Sequence, residues 1–337
     1  MLLPFLRSSL LGNWGLCQTQ TILTYGMGME NRAGAAAAIG SCVHRLMELR
    51  ALASIHEKKG ITSFEYEDWG EITTEWAKDP NSTIDRAYAH QQKLDSHVKW
   101  EKIPKSKILK SAIRAITDYP EYDPINLNII EVEQYFDLEI KEDWAKYSET
   151  VNGVLYEGYL RIKGTIDCII AHEDNVIECY DFKNGLRKSF ATGEIKTPEY
   201  LKNDHQLLFY LYALNRLYPG KHFIMTLYFI NDGGIFPVIG DQEMLERAEK
   251  MIKDTYLEIL STKIPTVLDK TRRDWRCKSC CAFSKPASYT RGLSICEFMS
   301  NKFKQVGVDK TIEKYGNMDK VVKYGSGGGK VLDETKD

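Results

Sequence analysis

The stretch GTIDCIIAHEDNVIECYDFK, residues 164–183, decides how the rest of the chain is read. Two runs rich in β-formers, one around Ile166, Ile169 and Ile170 and one around Val176, Ile177, Tyr180 and Phe182, flank the turn Glu173-Asp174-Asn175. That is the pattern of a β-hairpin. Asp167 and Asp181 each lie seven residues from Asp174, so an antiparallel ladder centred there sets them opposite each other. Side chains alternate along a strand, which puts Lys183 on the face of Asp181. Two buried carboxylates repel, and a cation is the usual reason a fold tolerates the pair.

Working outward, the 337 residues suffice for one large domain or two small ones, and 43% apolar with 27% charged residues is a globular composition. The net charge of −2 means that any polyanion must be held by local basic patches. No run approaches a membrane-spanning length, and the apolar start, residues 1–11, is broken by Pro4 and Arg7. The expectation is a cytoplasmic protein without membrane contact. Of eight cysteines, Cys277, Cys280, Cys281 and Cys296 cluster near the C-terminus, which in that compartment favours metal over disulfides. Cys42, Cys168 and Cys179 fall in apolar elements and read as buried hydrophobes.

In chain order, residues 8–25 read as one amphipathic helix containing Cys17. Residues 32–56 read as a second helix, on which Gly40, His44 and Glu48 share a face. A lone His there is either a hydrogen-bonded core residue or a ligand. Residues 60–120 read as mainly helical, with a run of Lys99, Lys102, Lys105, Lys107, Lys110 and Arg114 that is either a solvated face or a phosphate track. A strand is expected over 129–140, the hairpin strands over 155–171 and 175–183, a helix over 199–218, a strand over 223–230 and a helix over 241–262. The last stretch, from 301, carries GSGGGK and reads as a basic flexible tail. It lacks the spacing of a phosphate loop, and no other such loop is present to drive a helicase motor. Helices, three strands, helix, strand and helix make a mixed α/β layer architecture.

Four motifs occur in the order GxxxHxxxE (Gly40, His44, Glu48), GxxD (Gly164, Asp167), DxK (Asp181, Lys183) and QxxxY (Gln206, Tyr210). In that order, on helix, hairpin and helix, they resemble the RecB-like nucleases of the PD-(D/E)xK superfamily. The resemblance extends to the iron-sulfur branch, similar to the AddB nuclease domain and the CRISPR-associated RecB-like exonucleases, through Cys17 ahead of the His motif and Cys277, Cys280 and Cys296 behind. The 16 positions from Cys280 to Cys296 exceed the usual interval of that branch, which leaves Cys281 as an alternative ligand.

The resemblance implies a restriction-endonuclease-like core: a mixed central sheet flanked by helices, a helical N-terminal portion and a Cys-stapled C-terminal segment. It implies one nuclease domain over 1–300 (helical portion about 30–120, core about 128–262, Cys-rich segment 272–298) and a tail over 301–337. Asp167 and Asp181 would hold Mg²⁺ or Mn²⁺, joined by His44 and the backbone carbonyl of Phe182, with Glu48 supporting His44. Lys183 would act electrostatically, because two carboxylates favour its ammonium form. By the resemblance Gln206 and Tyr210 would face the site; on their own they read as a capping and a core residue. The cysteines would hold a 4Fe-4S cluster, with structural Zn²⁺ as the alternative. Arg272, Arg273, Arg276 and Lys278 would rim the substrate or form a soluble loop. The activity implied is exonuclease cleavage of single-stranded DNA in recombination, repair or phage-type processing, with a possible helicase partner. The alternatives are a non-catalytic DNA-binding subunit and a zinc-stapled RNA-processing protein.

Overall fold

The computed structural model describes residues 1–32, 34–188, 193–267, 277 and 281–323. The elements are β1 (Phe5–Leu6), α1 (Ser8–Trp14), α2 (Gln18–Thr21), α3 (Ala35–Lys58), β2 (Ser63–Tyr66), β3 (Gly70–Thr73), α4 (Thr74–Lys78), α5 (Pro80–Leu94), α6 (Lys105–Thr117) and β4 (Ile129–Glu139). After these come β5 (Lys146–Val151), β6 (Val154–Tyr159), β7 (Arg161–Ala171), β8 (Val176–Lys183), α7 (Pro198–Leu201), α8 (His205–Leu217), β9 (His222–Phe229), β10 (Gly234–Gly240) and α9 (Gln242–Ser261). The remaining helices are α10 (Ile295–Val306), α11 (Val308–Tyr315) and α12 (Met318–Lys323).

A mixed six-stranded sheet runs β1-β7-β8-β9-β10, with β4 also paired to β7. The β7–β8 and β9–β10 pairs are antiparallel, and β8–β9 and β1–β7 are parallel. The parallel β8–β9 pair needs a crossover, and α7 and α8 supply it. The chain divides into two compact units: residues 1–32, 136–164 and 246–337, and residues 33–135 and 165–245.

In the second unit, α3 buries Cys42, Val43, Leu46, Met47 and Leu49 in one cluster with Cys168, Ile170, Tyr180, Phe182 and Tyr228 of the sheet. Ile84 of α5 and Ile108, Ala112 and Ala115 of α6 join the same cluster. Arg50 of α3 is buried and donates two hydrogen bonds to the Asp123 carboxylate, one of them from Nε at 2.8 Å. In the first unit, Gly164 of β7 is required by packing, since a Cβ there would stand 2.6 Å from the Phe136 ring.

Several expectations are corrected. The single helix over 8–25 is two short helices and a π-helical turn (Ile22–Gly26), because Cys17 takes an extended conformation (φ −155°). Residues 60–120 contain the hairpin β2–β3, held at its corner by Gly70 at φ +72°. The strand expected over 155–171 breaks at Leu160, and β5 and β6 form a separate hairpin. β10 was not anticipated. Residues 301–323, read as a flexible tail, form helices that bury Phe303, Val308, Ile312 and Val321; GSGGGK lies outside the described residues.

Candidate active site

The β7–β8 ladder pairs Ala171 with Ile177 through Cys168 with Tyr180, which centres the hairpin on residue 174 as its turn demands. The next rung would be Asp167 against Asp181, and there the regular pairing gives way. Asp167 Oδ2 accepts the backbone N–H of Phe182 at 2.8 Å, so a side chain takes the place of the strand. On the other edge of β8, the Lys183 carbonyl accepts from Ile230 N at 3.0 Å. Neighbouring residues of a strand aim their backbone groups to opposite edges, so the Phe182 carbonyl faces the β7 side, toward Asp167.

His44 of α3 reaches this rung, with Nδ1 3.4 Å from Asp167 Oδ2 and its ring edge-on to Phe182. Glu133 of β4 joins them: one ligand atom each from His44, Glu133 and Asp167 lie within 4.8 Å of one another. Sequence reasoning missed Glu133, because alternation along 129–140 gives it no distinction from Glu131. The backbone supplies the difference, since Glu133 has φ +48°, a left-handed conformation that interrupts the strand's alternation.

The carboxylates crowd. Burial, then Asp167 and Glu48, push the Glu133 carboxyl up to about 8. Burial, with Asp167 adding to it and Lys183 opposing it, pushes Asp181 up to about 6. Asp181 Oδ2 is buried and is held by the Lys183 ammonium, whose Nζ stands 2.5 Å away. One imidazole nitrogen and several mutually repelling carboxylate oxygens fit a hard divalent cation such as Mg²⁺ or Mn²⁺.

On the other side of Asp181, α8 begins at Asp204, whose carboxylate accepts from the Gln206 N–H at 3.0 Å and pairs with Lys196. Gln206 is thereby turned into the site. Its Oε1 accepts from Lys183 Nζ at 2.7 Å, while Nε2 donates to Asp181 Oδ1 at 2.7 Å and lies 3.0 Å from the Tyr210 hydroxyl. Tyr210 in turn donates to the Thr165 carbonyl at 2.8 Å. Burial disfavours the Lys183 ammonium, but Asp181 and Asp167 outweigh it and raise its proton affinity. Glu48 departs from expectation: it accepts from Arg45 at 2.8 Å, and Arg45 also reaches Tyr66 and Glu67, so Glu48 belongs to an arginine network instead of supporting His44.

In the first unit, Cys17 and Cys281 sit at the N-caps of α2 and of a 3-10 turn, and Cys296 lies in the first turn of α10. Burial, then the neighbouring Cys17 and Cys277, push Cys281 up to about 11; burial, then Cys17 and Cys281, push Cys296 up to about 12. Cys17, Cys277, Cys281 and Cys296 all belong to this unit, and thiols are soft donors of the kind that iron-sulfur clusters and zinc take. Cys280, Arg272, Arg273, Arg276 and Lys278 lie outside the described residues. Cys42, Cys168 and Cys179 are buried.

The family model described as the PD-(D/E)XK nuclease superfamily matches residues 15–285. No curated protein matches the sequence. Among solved structures, one from Eubacterium rectale, provisionally named an exonuclease, aligns over 86% of this chain and 92% of its own at 14% identity and a TM-score of 0.46. Another, SSO0001, aligns over 60% of this chain and 77% of its own at 18% identity and a TM-score of 0.26.

Proposed function

The chain belongs to the PD-(D/E)XK nuclease superfamily, and we propose that it is a divalent-metal-dependent exonuclease acting on single-stranded DNA. The observation that carries the reading is the gathering of His44, Glu133 and Asp167 beside the Asp181–Lys183–Gln206 relay. Asp167, Asp181, His44, Glu133 and the Phe182 carbonyl would hold Mg²⁺ or Mn²⁺, the imidazole favouring Mn²⁺. The bound cation supplies Lewis-acid polarisation of the phosphate and offsets its charge. Lys183 stays an ammonium between Asp181 and Gln206, where it orients the attacking water and stabilises the negative charge that develops on the phosphoryl oxygens. Gln206 fixes the Lys183 head group, and Tyr210 fixes Gln206.

We read residues 1–300 as one nuclease domain. Cys17, Cys277, Cys296 and either Cys280 or Cys281 would hold a 4Fe-4S cluster of the AddB type as a structural staple, since zinc sites ordinarily draw on local cysteine pairs. Recombination, repair or phage-type DNA processing in the cytoplasm, with a helicase partner, is the setting this chemistry suits.

The test is degradation of end-labelled single-stranded and duplex DNA by anaerobically purified protein with Mg²⁺ or Mn²⁺, beside Asp181→Ala and with iron and zinc assayed. Metal-dependent shortening from an end by the wild type, absent in the variant, is expected. Binding without cutting by both proteins would overturn the catalytic reading, and zinc in place of iron would overturn the cluster.

A further inference from the structure

The nuclease reading leaves open how a strand reaches Lys183, and α6 is tied to that point. Ser111, buried on α6, donates to Asn184 Oδ1 at 2.7 Å and accepts from Asn231 Nδ2 at 2.7 Å. Asn231 also donates to the Asn184 carbonyl at 3.0 Å. Asn184 directly follows Lys183 in sequence. The polar knot thus fixes one edge of α6 against the end of the strand that carries Asp181 and Lys183.

That edge is basic. Lys107 lies four residues before Ser111 and Arg114 three after, both neighbours of Ser111 on the helix surface, with Lys110 adjacent. Lys105 is paired with Asp85 and Arg114 with Asp118. Lys107 and Lys110 are exposed and, among the described residues, have no carboxylate partner in ion-pair range. Two like charges at this spacing repel in the free protein. With a net charge of only −2, this chain has no general excess of cations to explain them.

We infer that the Lys107–Lys110 edge of α6 is a track for the phosphodiester backbone of a single strand, and that it delivers the strand to the Asp181–Lys183 end of β8. The inference rests on the nuclease reading and adds to it the surface that engages the substrate. Phosphates would replace the missing carboxylates, and Ser111 would keep the track in register with the cutting site. Lysine suits such a task because its point charge follows a mobile backbone without base preference.

The experiment is fluorescence anisotropy of labelled oligothymidylate in Ca²⁺, across a salt series, with cutting in Mg²⁺ measured in parallel. Each phosphate neutralised on a single strand contributes about 0.7 to the salt slope, so Lys107→Gln/Lys110→Gln should lower the slope by about 1.4 and weaken binding on the order of 20-fold at about 0.1 M salt. Lys250→Gln/Lys253→Gln on α9 removes the same charge and should leave both quantities unchanged. If the wild type binds and cuts but the α6 pair binds with unaltered affinity and slope, or both pairs weaken equally, the track is overturned and the nuclease stands. If the wild type neither binds nor cuts, both fall.

Discussion

Replacing Glu133 by Gln removes one charge from the crowded end of the sheet while keeping the side chain's size. Folding raises the proton affinity of Glu133 from the ordinary 4.5 to about 8, chiefly through burial and then through Asp167 and Glu48. A carboxyl shifted in this direction stabilises the fold while it is protonated. That contribution is complete below 4.5 and is lost as pH rises through about 8. Each factor of ten in proton affinity is worth about 1.4 kcal/mol, so the rise from 4.5 to about 8 bounds the loss at about 5 kcal/mol. Glu133 is only partly buried, and solvent screening reduces this to roughly 2 kcal/mol. In EDTA, Glu133→Gln should therefore melt higher than the wild type by about 3 °C above pH 8, and equally with it near pH 4. Scanning fluorimetry across that range reads the difference. Adding Mn²⁺ should reverse the order, because a ligand that binds the native state of the wild type more tightly stabilises it more. A variant less stable than the wild type at high pH without metal, or a difference indifferent to pH, would refute the reasoning.

Two further outcomes follow from the geometry. Lys183→Met should lower kcat by about 10²–10³ while Mn²⁺ still raises the melting temperature, since Lys183 touches Asp181 and Gln206 without being a metal donor; single-turnover cleavage and fluorimetry separate the two. Asp123→Ala should cost about 3–5 kcal/mol in urea unfolding, because it leaves the guanidinium of buried Arg50 without its carboxylate, whereas Arg50→Met with Asp123→Leu should recover much of the loss.

The hairpin and its carboxylate pair were legible because their determinants are local. A turn centred on residue 174 and a period of two set Asp167 opposite Asp181 before any tertiary contact is considered, and the ladder from Ala171–Ile177 to Cys168–Tyr180 keeps that register. Gln206 and Tyr210 were legible as helical neighbours four apart, with Asp204 capping the helix ahead of them. The hairpin β2–β3 was not legible, because its strands are four residues each and their apolar positions blend into a helical reading.

The sequence by itself determined the sheet's central hairpin, the residues at its open end and the helices on either side, since each is written in spacing along one segment. The tertiary structure decided what no segment records. Glu133 enters the site through a left-handed backbone turn in β4, and Glu48 goes to Arg45 instead of His44. These choices depend on which distant side chains packing brings within a few ångströms, where burial and mutual charge then settle their partners.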